Sequence, residues 1–164
     1  GARFEAVLPA VSHLSAEIRT AVAGWPVPVR IVEGHEAKYA AFRQARAALA
    51  ASGTVTLELA LSGVPMVVAY RVSKLEEQLK YLIKVPSIVL PNLILGANAI
   101  PEKLQDEANP ETLATALCPL LADTPERRAQ IAALARLDGL MRLPDGDTPS
   151  ARAARIVLDV VRGR

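Results

Sequence analysis

A short polar turn that precedes a helical pattern is the stretch of this sequence best suited to bind a ligand. Ser52, Gly53 and Thr54 come before an apolar run, and Glu58 follows Thr54 by one helical turn on the same face. The N–H groups and the positive dipole end at a helix start attract phosphate. A carboxylate one turn later can accept hydrogen bonds from two neighbouring hydroxyls, such as a ribose 2′,3′-diol. The spacing therefore indicates a site for a nucleotide diphosphate.

The same residues also have a purely structural interpretation. A Ser-Gly-Thr turn commonly caps a helix, and Glu58 can equally be a solvated surface residue. Short motifs of this kind have low specificity. Local pattern alone leaves both interpretations open.

Composition limits the class of protein to which the chain can belong. The 164 residues suffice for one domain, or for one half of a two-domain protein, with 51% hydrophobic and 22% charged residues. A formal net charge of +2 gives no support for nucleic-acid binding. The single cysteine, Cys118, allows no internal disulfide, favours a reducing compartment and is expected to be buried. No run has the length of a membrane span, no signal peptide is predicted, and the start at Gly1 suggests a fragment.

The elements that must position these residues alternate along the chain. Strands are predicted over residues 2–11, 27–32, 47–51, 65–70 and 85–90. Helices are predicted over residues 13–23, 36–46, 54–62, 74–84, 110–122, 123–141 and 151–161, with a single helical turn over 100–104. Alternation of this kind predicts an α/β fold with a Rossmann-like parallel sheet flanked by helices, followed by a helical tail.

Polar residues follow several of the predicted strands. They are Ser52-Gly53-Thr54, Tyr70-Arg71 and Pro91-Asn92. Ligands of parallel α/β sheets bind beyond the carboxyl ends of the strands. We therefore expect these loops to converge on one ligand crevice.

The order of the motifs resembles the lipid-A-disaccharide synthase family over most of residues 45–122. The matching segments are Ala51 to Thr54, Leu57-Glu58, Gly63 to Arg71, Lys84 to Pro86, Leu90 to Ile94 and Leu104 to Asp106. Several motifs in the same order are far more specific than any one of them.

The resemblance implies a fold and a reaction. The fold is the C-terminal, donor-binding half of a GT-B glycosyltransferase. The reaction is inverting transfer of diacylglucosamine from its UDP derivative to diacylglucosamine 1-phosphate, which gives lipid A disaccharide 1-phosphate and UDP without a cofactor or a bound metal. The implied location is the cytoplasm, peripheral to the bacterial inner membrane. The implied partners are the two acylated substrates, the N-terminal half of the same enzyme and a membrane surface for the full enzyme, with a homo-oligomer left open.

The resemblance also carries roles over to particular residues. Glu58 matches the carboxylate that holds the ribose hydroxyls, and the turn of Ser52, Gly53 and Thr54 faces the diphosphate. Asn92 and Gln105 match polar positions near the donor sugar. Arg71 has two open roles, a pyrophosphate contact or a structural salt bridge.

Two features of the family are missing from this sequence. The Gly-Ser-Arg loop before the first helix of this half is not found, and Gly1-Ala2-Arg3 is a poor match because no strand precedes it. Inverting transfer needs a base to deprotonate the attacking hydroxyl. Neither His13 nor His35 is a credible base, because both lie in the weakly matching part. No catalytic residue is therefore assigned to this chain.

The resulting hypothesis divides the chain in two. Residues 1–143 are the predicted UDP-sugar-binding domain, and residues 144–164 are a linker and a C-terminal helix.

Three rival interpretations stay open: another GT-B UDP-N-acetylglucosamine transferase, a UDP-N-acetylglucosamine epimerase, and a non-catalytic binding or assembly module. The basic amphipathic pattern over 74–84 is more typical of a solvated helix face than of a membrane-bound helix.

Overall fold

The structure is a computed structural model that describes residues 4–71, 86–143 and 146–163. The helix predicted over 74–84 lies outside the described residues. The strands are β1 (Ala6–Ala10), β2 (Val29–Glu33), β3 (Ala48–Ala51), β4 (Met66–Tyr70) and β5 (Glu102–Leu104). The α-helices are α1 (Ser15–Val22), α2 (His35–Gln44), α3 (Thr54–Leu61), α4 (Leu90–Leu95), α5 (Pro110–Leu121), α6 (Pro125–Leu134), α7 (Leu137–Met141) and α8 (Pro149–Val161). Short 3₁₀ helices cover Ser12–Leu14 and Gln105–Glu107.

The predicted α/β class with parallel strands is confirmed. The strands form two hydrogen-bonded groups, β1-β2 and β3-β4-β5, and every pair is parallel. Strand β4 lies in the middle of its group, and Met66, Val67 and Val68 are fully buried there. An apolar run of this kind is typical of a strand that is covered on both faces.

The strand predicted over 85–90 is wrong over its described part. Residues 86–89 are irregular and α4 begins at Leu90. Side chains take the place of a strand partner here: the Ile88 N–H donates to the Glu102 carboxylate, and the Ile88 carbonyl accepts from the Ser52 hydroxyl. As a consequence, Asn92 lies on a helix rather than in a loop after a strand.

The helical turn predicted over 100–104 is also wrong. Glu102–Leu104 is the third strand of its group and pairs in parallel with Val68–Tyr70. Pro101 cannot donate a ladder hydrogen bond, and it directly precedes this strand at the end of the group, where proline is tolerated. The Pro101 carbonyl accepts from the Val68 N–H, so the extended pairing begins there.

The C-terminal helices differ from the prediction in their boundaries. The helix predicted over 123–141 is two helices, because the Arg136 N–H bonds to the Ala133 carbonyl in a tighter, 3₁₀-type step. Leu134 before the break and Leu137 after it are both buried. The tail helix begins at Pro149 after a Thr148 cap, and none of its residues is buried.

The main core joins the group β3-β4-β5 to the helices α2, α3, α4, α6 and α7. Its buried members include Phe42, Leu59, Met66, Ile100 and Leu137. Cys118 is exposed on α5, so the expectation that it is buried is wrong. No helix within the described ranges is long and apolar enough to cross a membrane.

Candidate functional site

Three of the predicted site residues directly follow three neighbouring parallel strands. Strand β3 ends at Ala51, β4 at Tyr70 and β5 at Leu104, and the next residues are Ser52, Arg71 and Gln105. Because carboxyl ends of parallel strands meet at one edge, these residues share that edge. Parallel α/β sheets bind their ligands at an edge of this kind, and the residue after the third strand is Gln105 rather than Asn92.

The turn between β3 and α3 leaves the start of the helix without a side-chain cap. Gly53 occupies the N-cap position with φ 152°, a conformation that favours glycine, and within residues 4–71, 86–143 and 146–163 no side chain caps the first turn. The Ser52 hydroxyl instead donates to the Ile88 carbonyl at 2.9 Å. Helices α5, α6 and α8 each have a side-chain cap, from Asn109, Thr124 and Thr148. The capping interpretation of this turn is therefore not realised, and the first N–H groups of α3 have no side-chain acceptor.

Glu58 is a residue of α3, and its side chain has two partners on α2. Its Oε1 and Oε2 accept hydrogen bonds from Lys38 Nζ at 3.0 and 2.9 Å, and the Tyr39 hydroxyl donates to Oε1 at 3.0 Å. The side chain of Glu58 keeps 30% of its surface exposed. Each carboxylate oxygen can accept about two hydrogen bonds. One acceptor position therefore remains on Oε2, while a ligand at Oε1 must replace Lys38 or Tyr39.

These contacts keep Glu58 ionised. The hydrogen bonds from Lys38 hold the pKa of Glu58 below its ordinary value, and the Tyr39 hydroxyl lowers this pKa too, against the opposing effect of partial burial. In return, the Glu58 carboxylate raises the pKa of Lys38. An ionised carboxylate offers acceptor positions only, which suits recognition of hydroxyl groups.

The lowered pKa predicts a specific pH dependence of stability. A carboxylate whose pKa is lower in the folded state stabilises the fold above its unfolded value, about 4.3, and loses this contribution as pH falls through the folded value. We expect the melting temperature of wild type to exceed that of Glu58→Gln by a constant margin above about pH 5. The margin should shrink at lower pH because Glu58 becomes protonated, and the difference reports on Glu58 because the other carboxylates are common to both proteins. Thermal unfolding between about pH 3 and about pH 7 measures it, and a margin independent of pH would contradict the assignment.

Arg71 contacts the backbone of Gln105. Its Nε donates to the Gln105 carbonyl at 3.2 Å, which joins the residue after β4 to the residue after β5. Gln105 has φ 52°, an uncommon value for a residue with a side chain. The described contact is thus neither of the two roles considered for Arg71, although its exposed side chain stays within reach of the edge.

Asn92 belongs to a buried network behind this edge. With 2% of its surface exposed, Asn92 donates from Nδ2 to the Ile100 carbonyl and to Glu102 Oε1, each at 2.9 Å. Its Oδ1 accepts from the Ile100 N–H at 2.9 Å. These bonds attach α4 to the chain before β5. A contact between Asn92 and the donor sugar stays a prediction.

Sequence reasoning missed several polar residues of this region. Lys38 and Tyr39 contact Glu58, and a shallow depression of about 630 Å³ lies along α2 beside Tyr39. Glu102 binds the Ser87 hydroxyl, the Ile88 N–H and Asn92. Predicting these contacts would have required knowing that α2 packs beside α3 and that residues 86–92 lie beside β5. Local spacing carries no such signal.

The parallel α/β architecture is consistent with one half of a GT-B glycosyltransferase. Comparison with known sequences gives the family. The model of the lipid-A-disaccharide synthetase family matches residues 3–143. The chain belongs to this family.

Individual relatives extend the similarity over nearly the whole chain. The chain is 52% identical to the lipid-A-disaccharide synthase of Bradyrhizobium diazoefficiens, over 99% of this chain and 41% of the relative. Identity is 49% to the enzyme of Rhodopseudomonas palustris strain CGA009, over 99% of this chain and 41% of the relative. Identity is 40% to the enzyme of Rhodospirillum centenum, over 98% of this chain and 40% of the relative. The chain therefore spans about 41% of the length of the curated relatives that it matches.

Proposed function

We propose that the whole protein is a lipid-A-disaccharide synthase and that this chain supplies its donor-binding half. It would transfer diacylglucosamine from UDP-2,3-diacylglucosamine to 2,3-diacylglucosamine 1-phosphate and release UDP. The observation that carries the proposal is the 52% identity to such an enzyme over 99% of the chain. Residues 1–143 are the proposed UDP-sugar-binding domain, and residues 144–164 the linker and tail helix.

The geometry of the turn supports a place for the donor diphosphate. The first N–H groups of α3 have no side-chain cap, and they lie with Ser52, Gly53 and Thr54 at the carboxyl edge of the sheet. The dipole of α3 adds positive potential at the same point. In our proposal these N–H groups bind the diphosphate, and no metal ion or cofactor is needed.

The position of Glu58 supports a place for the ribose. Glu58 lies one helical turn beyond Thr54, is ionised, and keeps an acceptor position on Oε2. We propose that it accepts hydrogen bonds from the two ribose hydroxyls, with Lys38 or Tyr39 yielding its place on Oε1. Asn92 and Gln105 are proposed to lie near the donor sugar, and Arg71, which already donates to the Gln105 carbonyl, is proposed to contact the pyrophosphate.

The base and the acceptor site are proposed to come from the part of the relatives that this chain does not span. Inverting transfer requires a base beside the acceptor hydroxyl. His13 follows β1 and His35 follows β2, so neither is among the residues that follow β3, β4 and β5, and the His35 ring packs against Tyr39 at 4.7 Å between ring centroids. The proposed partners are therefore the N-terminal half and the acylated acceptor.

The proposed location follows from the chemistry of the substrates. Both carry acyl chains and would reside in a membrane, so we propose a cytoplasmic enzyme peripheral to the bacterial inner membrane, with a homo-oligomer as a further possibility. An assay with both acylated substrates tests the proposed function directly.

The proposal predicts transfer activity of the full-length protein that includes this chain. With the acylated UDP donor and the acylated 1-phosphate acceptor, we expect one UDP released for each disaccharide 1-phosphate formed, unchanged by a metal chelator. Chromatography with mass detection follows both products. Turnover of unacylated UDP-N-acetylglucosamine alone would favour another GT-B enzyme. Absence of turnover together with absence of UDP binding would favour the assembly module.

A further inference from the structure

Glu102 is a polar hub that the proposed function does not use. It lies on β5, the strand farthest from β3 in its group, and its carboxylate faces residues 86–92. Oε1 accepts from the Ser87 hydroxyl and from Asn92 Nδ2, and Oε2 accepts from the Ile88 N–H at 3.1 Å. Among the described residues, no Lys or Arg forms an ion pair with Glu102. Its partners in the described part of the chain are therefore all neutral donors.

The Ile88 backbone connects this hub to the turn at the start of α3. Its N–H binds Glu102 Oε2, and its carbonyl accepts the Ser52 hydroxyl at 2.9 Å. Ser52 directly follows β3 and precedes Gly53, the N-cap of α3. The contacts therefore run from β5 through residue 88 to the end of β3, across the end of the buried central strand β4.

We propose that Glu102 is a positioning residue for the Ser52–Gly53–Thr54 turn and acts through Ile88. The inference rests on the proposed function in one respect, namely that this turn binds the donor diphosphate. Glu102 fixes the Ile88 N–H, the Ile88 carbonyl fixes the Ser52 hydroxyl, and the N–H groups after Ser52 are thereby held in one orientation. A preorganised donor set binds its ligand more tightly, because it loses less conformational freedom on binding.

The two oxygens of Glu102 allow the link to be cut selectively. Among the described residues, Oε1 accepts from Ser87 and Asn92, whereas Oε2 accepts from Ile88. In Glu102→Gln, the amide oxygen can keep the two donors at the Oε1 position. The NH₂ group then faces the Ile88 N–H and cannot accept from it. This variant preserves the attachment of α4 and removes the link to the turn.

The test combines hydrogen exchange with UDP binding in the full-length protein that includes this chain. In Glu102→Gln we expect amide exchange at Thr56, whose N–H donates to the Gly53 carbonyl, to increase about tenfold, and the UDP dissociation constant to rise by about the same factor, as for loss of one hydrogen bond of about 1.4 kcal/mol. Ser52→Ala should show a similar effect. The double variant should bind UDP no more weakly than the single variant with the larger loss of affinity, because both substitutions break the same chain of contacts.

Glu107→Ala is the matched control. Its carboxylate follows the same strand, is 67% exposed and pairs only with Lys103 at 3.8 Å, so exchange and UDP affinity should stay as in wild type. Unchanged exchange at Thr56 in Glu102→Gln, or additive losses of affinity in the double variant, would overturn the inference.

The two proposals fail in different ways. If the wild-type protein does not bind UDP, the proposed function is overturned, and the exchange data alone decide whether Glu102 sets the turn. If the wild type binds UDP and Glu102→Gln binds it equally well, the positioning role is overturned and the function stands.

Discussion

Asn92→Ala is expected to lower the free energy of unfolding by about 2–4 kcal/mol, because two buried backbone groups lose their partners. Asn92 binds both the N–H and the carbonyl of Ile100, each at 2.9 Å, and Ile100 is 1% exposed. An unsatisfied buried group costs about 1–3 kcal/mol, and the missing side chain also leaves a small void. Denaturant unfolding of wild type and variant measures the difference.

Two further variants make this prediction specific. Asn98→Ala removes the same side chain from an exposed position three residues after Leu95, and its stability should match wild type. Asn92→Asp keeps an acceptor for the Ile100 N–H but directs a second oxygen at the Ile100 carbonyl and at Glu102, so it should also destabilise. Unchanged stability of Asn92→Ala combined with weakened donor binding would mean that Asn92 serves the substrate rather than the fold.

Glu58→Ala is expected to weaken UDP binding roughly 30- to 1,000-fold, or about 2–4 kcal/mol. The proposed ribose contact consists of two hydrogen bonds to an ionised carboxylate, each contributing about 1.5–3 kcal/mol with partial compensation by water. The loss should appear in the dissociation constant measured by calorimetry. The fold should tolerate the change, because Lys38 keeps 25% of its side chain exposed and can be hydrated when its partner is removed.

The appropriate control for Glu58→Ala retains the shape of the side chain. Glu58→Gln keeps one acceptor oxygen and loses the charge, so its affinity should fall between those of wild type and Glu58→Ala. Thermal unfolding at neutral pH identifies any variant that has lost its fold. UDP binding that Glu58→Ala leaves unaltered would remove Glu58 from the ribose site without removing nucleotide binding from the protein.

Local patterns predicted the elements whose sequences have one dominant preference. The apolar run from Met66 to Tyr70 is the buried central strand, and the Asn109-Pro110 pair begins a helix through a side-chain cap. Gly53 and Thr54 mark the start of α3 as expected. In each case the signal lies within a few residues of the element itself, so a single sequence is enough to find it.

The predictions that are wrong depend on contacts between distant parts of the chain. Residues 86–89 are apolar enough for a strand, but Glu102 and Ser52 take their backbone hydrogen bonds. Residues 102–104 become a strand because β4 offers a free edge. The pairing of Lys38 with Glu58 likewise joins residues 20 positions apart. No local pattern could have shown which of these partners would meet.

The most direct test of the central claim is calorimetric titration of UDP into the full-length protein that includes this chain. The account predicts binding of one UDP per chain, with affinity that depends on Glu58 and not on the exposed carboxylate of Glu107. Such a result would place a nucleotide at the carboxyl edge between β3 and β5. A folded protein that takes up no UDP would contradict the account, because a donor-binding half must recognise the leaving nucleotide.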